Sequence, residues 1–226
     1  MTNPVGALDS ATDQLVPGGA LRPYPITDEL SLLLLDPDTI QHPLAPETVH
    51  RAFEQPLYWC FCWAAGLALA RWILQHPEVV SGRRVVDFGA GSGVVGIAAK
   101  RAGAREVIAC DIDPLALEAA GYNAQYNGVT LHFVDHFEAI SGDVDLILAA
   151  DVLYDRSNLA WLDSFAAKAA RVIVADSRIK HFEHPMYQRL LSTESVTLPD
   201  LDESAEFRKV TLYSTLLESQ LMSSRY

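Results

Sequence analysis

The sequence of 226 residues has few cysteines, few basic residues and no long apolar segment. Its three cysteines, Cys60, Cys62 and Cys110, form no repeated C-x-x-C pair, so neither a disulfide framework nor a zinc site is indicated. This cysteine usage fits a reducing, cytoplasmic setting, and no metal is predicted. Lys and Arg number 17 against 29 Asp and Glu, a formal net charge of -12. Binding of nucleic acid needs clustered positive charge, so no nucleic-acid partner is predicted.

The apolar segments are too short to cross a membrane. The longest uncharged one, residues 57–70, ends at Arg71, whereas a membrane helix needs about 20 apolar residues. The N-terminus has no basic stretch followed by an apolar core, so no secretory signal is predicted. The length suits a single core, because domains commonly hold roughly 100 to 200 residues.

Proline is concentrated near the N-terminus. Eight of the twelve prolines lie in the first 56 residues. This composition predicts a proline-rich, irregular extension over residues 1–55, with a strand or short helix at 26–35. The rest of the chain, residues 56–226, is predicted to form the folded domain.

From residue 63 onward, short apolar segments alternate with helical ones. Strands are predicted at 84–88, 106–110, 131–134, 144–149 and 172–175, and helices at 63–75, 94–102, 114–126 and 159–168. This alternation predicts an α/β fold with a Rossmann-like, doubly wound, mostly parallel sheet. After residue 176, a predicted helix near 185–191 precedes two strands, 195–198 and 207–214. These two complete a seven-strand sheet with an antiparallel C-terminal strand.

The most informative motif follows the first of these strands. Residues 87–93 read Asp-Phe-Gly-Ala-Gly-Ser-Gly, and glycines at this spacing allow a sharp turn that a ligand can approach closely. Gly91, Gly93 and Gly96 also satisfy the G-x-G-x-x-G pattern of dinucleotide sites. The turn alone is therefore compatible with a nicotinamide dinucleotide or with S-adenosylmethionine.

Two observations favour S-adenosylmethionine. Asp87 directly precedes the glycines, where its charge would repel a pyrophosphate but attract the ammonium and sulfonium of S-adenosylmethionine. Only about 130 residues follow the turn, and they complete the same sheet, which leaves little length for the substrate domain of a dehydrogenase. Asp111, about twenty residues past the turn, is placed to accept the ribose hydroxyls of either ligand.

Acidic residues also follow the other parallel strands. The edge formed by the carboxyl ends of such strands is where open α/β sheets bind ligands. The acidic residues predicted at this edge are Asp87, Asp111, Asp113, Asp135, Asp151 and Asp176.

These motifs resemble those of the seven-strand S-adenosylmethionine-dependent methyltransferases, in particular the branch that includes protein-lysine methyltransferases. Residues 87–93 resemble the first motif of that class, D-I-D-P at 111–114 its second, and D-V-L-Y at 151–154 the D-x-x-Y signature of the lysine-modifying branch. The segment 59–66 is similar to the W-x-x-x-W-x-x-G of methyltransferases that modify the β-subunit of electron transfer flavoprotein.

The resemblance implies a site for S-adenosylmethionine. Asp87 and Gly89 would approach its methionine part, Asp111 would hold the ribose, Asp135 would lie near the adenine amino group, and Trp63 would pack beside it. The cofactor-binding residues expected in full are Trp63, Asp87, Gly89, Gly91, Gly93, Asp111, Ile112 and Asp135.

We expect Asp151 and Tyr154 to line the acceptor site, with Asp151 orienting an amine and Tyr154 packing along its aliphatic stem. The expected activity is methyl transfer to a nitrogen acceptor, in first place a lysine of a partner protein. A small-molecule amine as acceptor, or donor binding without catalysis, stays open as an alternative. One segment departs from the family pattern, since 176–179 reads D-S-R-I where the flavoprotein-modifying enzymes typically carry D-P-G-R.

Overall fold

A computed structural model describes residues 4–39, 57–153, 156–179, 182–200 and 204–215. The chain begins with helix α1 (Pro4–Leu15) and the antiparallel hairpin of β1 (Leu21–Thr27) and β2 (Leu30–Leu35). The remaining strands are β3 (Arg84–Phe88), β4 (Glu106–Cys110), β5 (His132–Val134), β6 (Val144–Ala150), β7 (Ala169–Asp176), β8 (Tyr187–Glu194) and β9 (Lys209–Thr215). The remaining helices are α2 (Ala64–Gln75), α3 (Val94–Arg101), α4 (Pro114–Tyr126) and α5 (Trp161–Lys168).

The strands β3 to β9 form one sheet of seven strands, in the order β5-β4-β3-β6-β7-β9-β8. The first five in this order run parallel, and β9 is antiparallel to both β7 and β8. The predicted fold class, mostly parallel with an antiparallel C-terminal strand, is confirmed. The direction of winding reverses between β3 and β6, and the segments that follow these two strands meet at the resulting crevice.

Both faces of the central strands are covered. Val85 and Val86 are consecutive and fully buried, one in each of two apolar clusters. The first cluster includes Leu67 of α2 and Ile97 of α3, and the second includes Phe165 of α5. Strands buried on both faces are continuously apolar rather than alternating, as expected for a parallel sheet. Within the described residues, no helix is long and apolar enough to span a membrane.

The prediction of an irregular N-terminal segment was wrong for α1 and β1, whereas β2 lies within residues 26–35, where a strand or short helix was predicted. Leu30, Leu32 and Leu34 alternate inward along β2 and join the first apolar cluster. Pro23 and Pro25 lie on β1, which pairs only with β2, and proline is tolerated on such an edge strand because the missing N–H can face away from the partner. The proposed boundary near residue 55 remains a prediction.

Two asparagines, Asn123 of α4 and Asn127 directly after it, connect this hairpin to the main sheet. Asn127 accepts a hydrogen bond from the Ser31 amide (3.1 Å) and donates one to the Ser31 carbonyl (2.6 Å). Asn123, only 1% exposed, accepts from the Leu33 amide (2.7 Å) and donates to the carbonyl of Ser92 (2.9 Å). Because Ser92 belongs to the glycine-rich motif, Asn123 connects the hairpin directly to the candidate ligand site.

The C-terminal prediction needs one correction. A helix near 185–191 and a strand at 195–198 were predicted, but β8 occupies residues 187–194 and pairs along its length with β9. Most side chains of β8 are exposed because it is the last strand of the sheet, so its sequence lacks the alternation that would identify a strand. Outside the strands, Leu198 forms one isolated bridge with Cys62.

Candidate active site

The glycine-rich turn follows β3 and is fixed to the end of β4. The Gly89 amide donates to the Cys110 carbonyl at 2.8 Å. Gly89 and Gly93 have φ angles of 68° and 80°, and packing also requires them to be glycine. An added Cβ would lie 2.6 Å from Val152 Cγ1 at Gly89, and 2.9 Å from Ala120 Cβ at Gly93. At both positions, neighbouring protein atoms leave no space for a Cβ.

Gly91 is different, because the space beside it is open. Its φ is 50°, and among the described residues an added Cβ would meet no heavy atom nearer than the Gly89 carbonyl oxygen at 4.0 Å. The Gly91 amide donates to Asp111 Oδ2 at 2.9 Å. The turn therefore leaves a gap against bare backbone, beside a carboxylate, which is the space that an adenosyl ligand needs here.

Asp111 and Ile112 extend this site beyond β4. Asp111 also accepts from the Asp113 amide at 3.0 Å, and burial raises the pKa of its carboxyl. Ile112 is 84% exposed. An exposed apolar side chain next to a fixed carboxylate offers a surface for a flat base and an acceptor for hydroxyls. These two residues and Gly91 fit the predicted cofactor.

Asp87 lies beneath the turn rather than in the open gap. It is 2% exposed, its Oδ2 accepts from the Gly96 amide at 2.8 Å, and burial raises its pKa to about 7. Asp135 is exposed, and a hydrogen bond with the His136 side chain (3.1 Å) lowers its pKa. The structure therefore brings Asp87 and Asp111 to the turn, with Asp135 on the surface after β5.

Trp63 immediately precedes α2, and its indole nitrogen donates to the Tyr58 carbonyl at 2.9 Å. The guanidinium of Arg178 lies 5.5 Å from the centre of the Trp63 ring and 4.6 Å from that of Phe207. Arg178 belongs to the segment after β7, so this contact brings Trp63 to the same edge of the sheet as the acidic residues.

Asp151 has the most constrained position of the predicted residues. Among the described residues it is the only non-glycine with a positive φ, 51°. Its Oδ2 accepts from the Ala65 amide of α2 (3.0 Å), and its Oδ1 accepts from the amide (3.1 Å) and the hydroxyl (2.8 Å) of Ser177. Burial, together with the nearby charge of Asp176, raises its pKa to about 6. Asp151 thus joins the start of α2 to the segment after β7.

Tyr154, the other predicted acceptor-site residue, lies outside the described residues. Asp176 is buried, and its Oδ1 accepts from the amides of Arg178 and Ile179, both at 2.7 Å.

The sequence did not predict that Ser177 binds Asp151. There, Ser177 was only part of a segment that departs from a family pattern. Asn123 was missed as well, although two amides four residues apart on an alanine-rich helix are a signal for buried polar contacts.

Comparison with known proteins decides the family. Residues 71–172 match the family model described as ribosomal protein L11 methyltransferase (PrmA). An electron transfer flavoprotein beta subunit lysine methyltransferase from Rattus norvegicus is 35% identical over 152 residues, which are 63% of this chain and 60% of that protein. The protein of the same name from Xenopus laevis is 34% identical over 186 residues, 78% of this chain and 74% of that protein. The chain belongs to this family of lysine methyltransferases.

The family resemblance inferred from the motifs is thus confirmed. Against the rat and mouse members of the flavoprotein lysine methyltransferase family, the aligned chain spans 60% of their length. A solved structure of magnesium protoporphyrin IX methyltransferase from Synechocystis PCC 6803, with bound S-adenosylmethionine, matches with a TM-score of 0.51 and 16% identity. The match covers 79% of this chain and 86% of that one. This likeness shows the fold alone.

For this member of the flavoprotein lysine methyltransferase family, we predict that Asp87→Asn stabilises the protein at pH 8. The folded-state pKa, about 7, lies above the ordinary value of 3.8, so the contribution of Asp87 to stability is greatest at low pH and is lost as the pH rises through 7. Asparagine keeps an acceptor for Gly96 without the buried charge, which should add about 2 to 4 kcal/mol to the free energy of unfolding at pH 8.

Urea unfolding at pH 8 and pH 5 measures this difference. The advantage of the variant should shrink at pH 5, and an equal advantage at both pH values would contradict the assignment. Because the lost negative charge lies beneath the turn proposed to hold a cationic donor, we also expect the stabilised variant to bind S-adenosylmethionine more weakly.

A second prediction concerns the hairpin contact. Asn123→Ala leaves the Leu33 amide and the Ser92 carbonyl unpaired in the core, which should cost about 2 to 4 kcal/mol of unfolding free energy. Binding of S-adenosylmethionine should weaken as well, because Ser92 lies in the turn. Asn127→Ala is the matched control, since it removes hydrogen bonds to Ser31 but none to the turn. Calorimetric titration would refute the coupling if both variants lost the same donor affinity.

Proposed function

We propose that this protein transfers a methyl group from S-adenosylmethionine to the side-chain amine of a lysine in a partner protein. Family membership supports the activity, and one structural observation carries the acceptor chemistry. An ionised carboxylate offers about four acceptor positions. Of the described residues, Ala65 and Ser177 supply three donors to Asp151, so Oδ2 retains one position for a further N–H.

The donor half of the site rests on Gly91, Asp111 and Ile112. The gap at Gly91 would admit the ligand to the backbone, Asp111 would accept from its ribose hydroxyls, and the exposed Ile112 would contact its base. S-adenosylmethionine supplies a methyl group activated by its sulfonium. No further acid or metal is needed for such a displacement, so alignment of the two reactants provides most of the catalysis.

The acceptor half must present a neutral amine. With an ordinary lysine pKa near 10.4, deprotonation at pH 7 costs about 4 to 5 kcal/mol. We assign to Asp151 the task of accepting one N–H of the amine, which directs the nitrogen lone pair toward the donor side of the crevice. Val152 and Leu153 are buried directly after it, so the carboxylate stands on a fixed segment.

The names of the relatives supply two candidate acceptors. The flavoprotein family is named for the β-subunit of electron transfer flavoprotein, and the matching family model for ribosomal protein L11. The segment 176–179 of this chain lies beside the proposed acceptor site and reads D-S-R-I rather than D-P-G-R. The family name alone therefore does not identify the acceptor. Both proteins therefore need to be tried, together with a fractionated lysate.

The test is intact-protein mass spectrometry after incubation with S-adenosylmethionine. We expect one of these proteins to gain one or more methyl masses on lysine. If the protein binds the donor and methylates free amines but changes the mass of no protein, it is a small-molecule methyltransferase. Donor binding without transfer to either kind of acceptor would indicate a binding module.

A further inference from the structure

We infer that Ser177 is a positioning residue for methyl transfer, holding Oδ1 of Asp151 so that Oδ2 is the oxygen presented to the acceptor amine. This inference rests on the proposed function. The Ser177 hydroxyl and amide donate to the same oxygen, at 2.8 Å and 3.1 Å. Those two bonds fill the acceptor positions of Oδ1, whereas Oδ2 receives one bond from the described residues, that of Ala65 at 3.0 Å.

Donors on both sides of the carboxylate fix its rotation. The Ala65 amide belongs to the first turn of α2, and Ser177 belongs to the segment after β7. Rotation of the Asp151 carboxylate about its last bond would break bonds on both sides. A single orientation is what an acceptor of one N–H requires if the amine lone pair is to point in one direction.

Ser177 is itself held by its neighbours. The turn formed by Asp176 Oδ1 with the Arg178 and Ile179 amides fixes the backbone around it. Arg178 then lies against the Trp63 ring, and Trp63 immediately precedes α2. The contacts form a closed circuit from Asp151 through Ser177, Arg178, Trp63 and the start of α2 back to Asp151.

Position 177 departs from the D-P-G-R pattern of the flavoprotein-modifying enzymes. A serine offers both an N–H and a hydroxyl, whereas the proline of the D-P-G-R pattern offers neither. The family resemblance therefore does not imply this contact, and the departure at 176–179 acquires a physical meaning. It replaces a rigid residue with two hydrogen-bond donors directed at the proposed acceptor carboxylate.

Two other titratable groups of the described residues interact electrostatically with Asp151. Asp176 adds a repulsive negative charge from the end of β7. Cys62, just before α2, has its pKa raised to about 12 by burial, so its thiol stays neutral between pH 5 and 9. The Ser177 hydroxyl therefore provides specific stabilisation of ionised Asp151, and its removal should shift the titration of that carboxyl to higher pH.

The test compares single-turnover methyl transfer by wild type and Ser177→Ala between pH 5 and 9, at saturating S-adenosylmethionine. The β-subunit of electron transfer flavoprotein and ribosomal protein L11 serve as acceptors. The rate of the variant divided by that of wild type does not depend on the titration of the acceptor amine, because that titration affects both rates equally. We expect the rate of the variant relative to wild type to be lowest at pH 5, at about one-tenth, and to approach one above pH 8, with the acid limb of the variant displaced upward by about one pH unit.

Two variants separate positioning from folding. Ser177→Thr keeps both donors and should restore the wild-type profile. Ser192→Ala, which removes a hydroxyl bonded to Thr211 at 2.9 Å on the exposed edge of the sheet, should leave the profile unchanged. If wild type transfers methyl groups and Asp151→Asn does not, yet Ser177→Ala keeps the wild-type profile, then the assignment of Ser177 alone is wrong. If wild type methylates no protein, the proposed function fails and this inference fails with it.

Discussion

Gly91→Ala is expected to lower the affinity for S-adenosylmethionine by at least about 100-fold while the protein stays folded, because a methyl group fills the ligand's space. The added Cβ projects into the open gap and meets no protein atom nearer than 4.0 Å. The positive φ of 50° should cost about 1 to 2 kcal/mol of unfolding free energy. Calorimetric titration with S-adenosylmethionine, alongside urea unfolding, measures both effects.

Gly82→Ala is the matched control for this variant. Gly82 has a φ of 71° and also has no heavy atom within 4 Å of an added Cβ, but it lies just before β3, at the opposite end of that strand from the turn. It should lose similar stability and bind the donor normally. If Gly91→Ala bound the donor as tightly as Gly82→Ala, the cofactor would not lie against this turn.

Sequence patterns predicted the elements whose signals are local. β3, β4 and α4 have the predicted bounds, because β3 and β4 are short apolar runs beside turn residues and α4 has a complete start signal. Asp113 accepts from the Leu115 amide at 2.9 Å, and Pro114 occupies the first turn of α4. β2 lies within the segment predicted as a strand or short helix. β1 and β8 were missed because tertiary pairing determines them, against a proline-rich sequence in β1 and a polar sequence in β8.

The candidate site was predictable only in part for the same reason. Strand order places Gly91, Asp111 and Asp151 at one edge, and the sequence predicted that edge from the position of each residue after a strand. The partners of these residues are distant in sequence, with Ser177 26 residues from Asp151 and Ala65 86 residues from it. No local pattern encodes such contacts. The sequence therefore predicted which carboxylates lie at this edge of the sheet, but not how they are held.

Asp151→Asn should reduce the rate of methyl transfer by at least about 100-fold and change donor affinity by no more than about threefold. Asparagine tolerates the positive φ of 51°, so the backbone is not strained further. Either orientation of its amide places an NH2 against an N–H donor, that of Ala65 or that of Ser177, at a cost of about 1 to 3 kcal/mol. Single-turnover kinetics with labelled donor give the rate, and titration gives the affinity.

Asp145→Asn controls for the loss of a carboxylate that accepts a backbone N–H. Asp145 accepts from the Arg84 amide at 2.7 Å, near the start of β6 and at the opposite edge of the sheet from Asp151. This variant should lose comparable stability and keep full transfer.

Equal loss of donor binding and transfer in Asp151→Asn would instead show that Asp151 belongs to the cofactor site or stabilises the fold. Full transfer by Asp151→Asn would show that another group receives the amine, because the variant has no carboxylate left at the one position that α2 and Ser177 jointly hold.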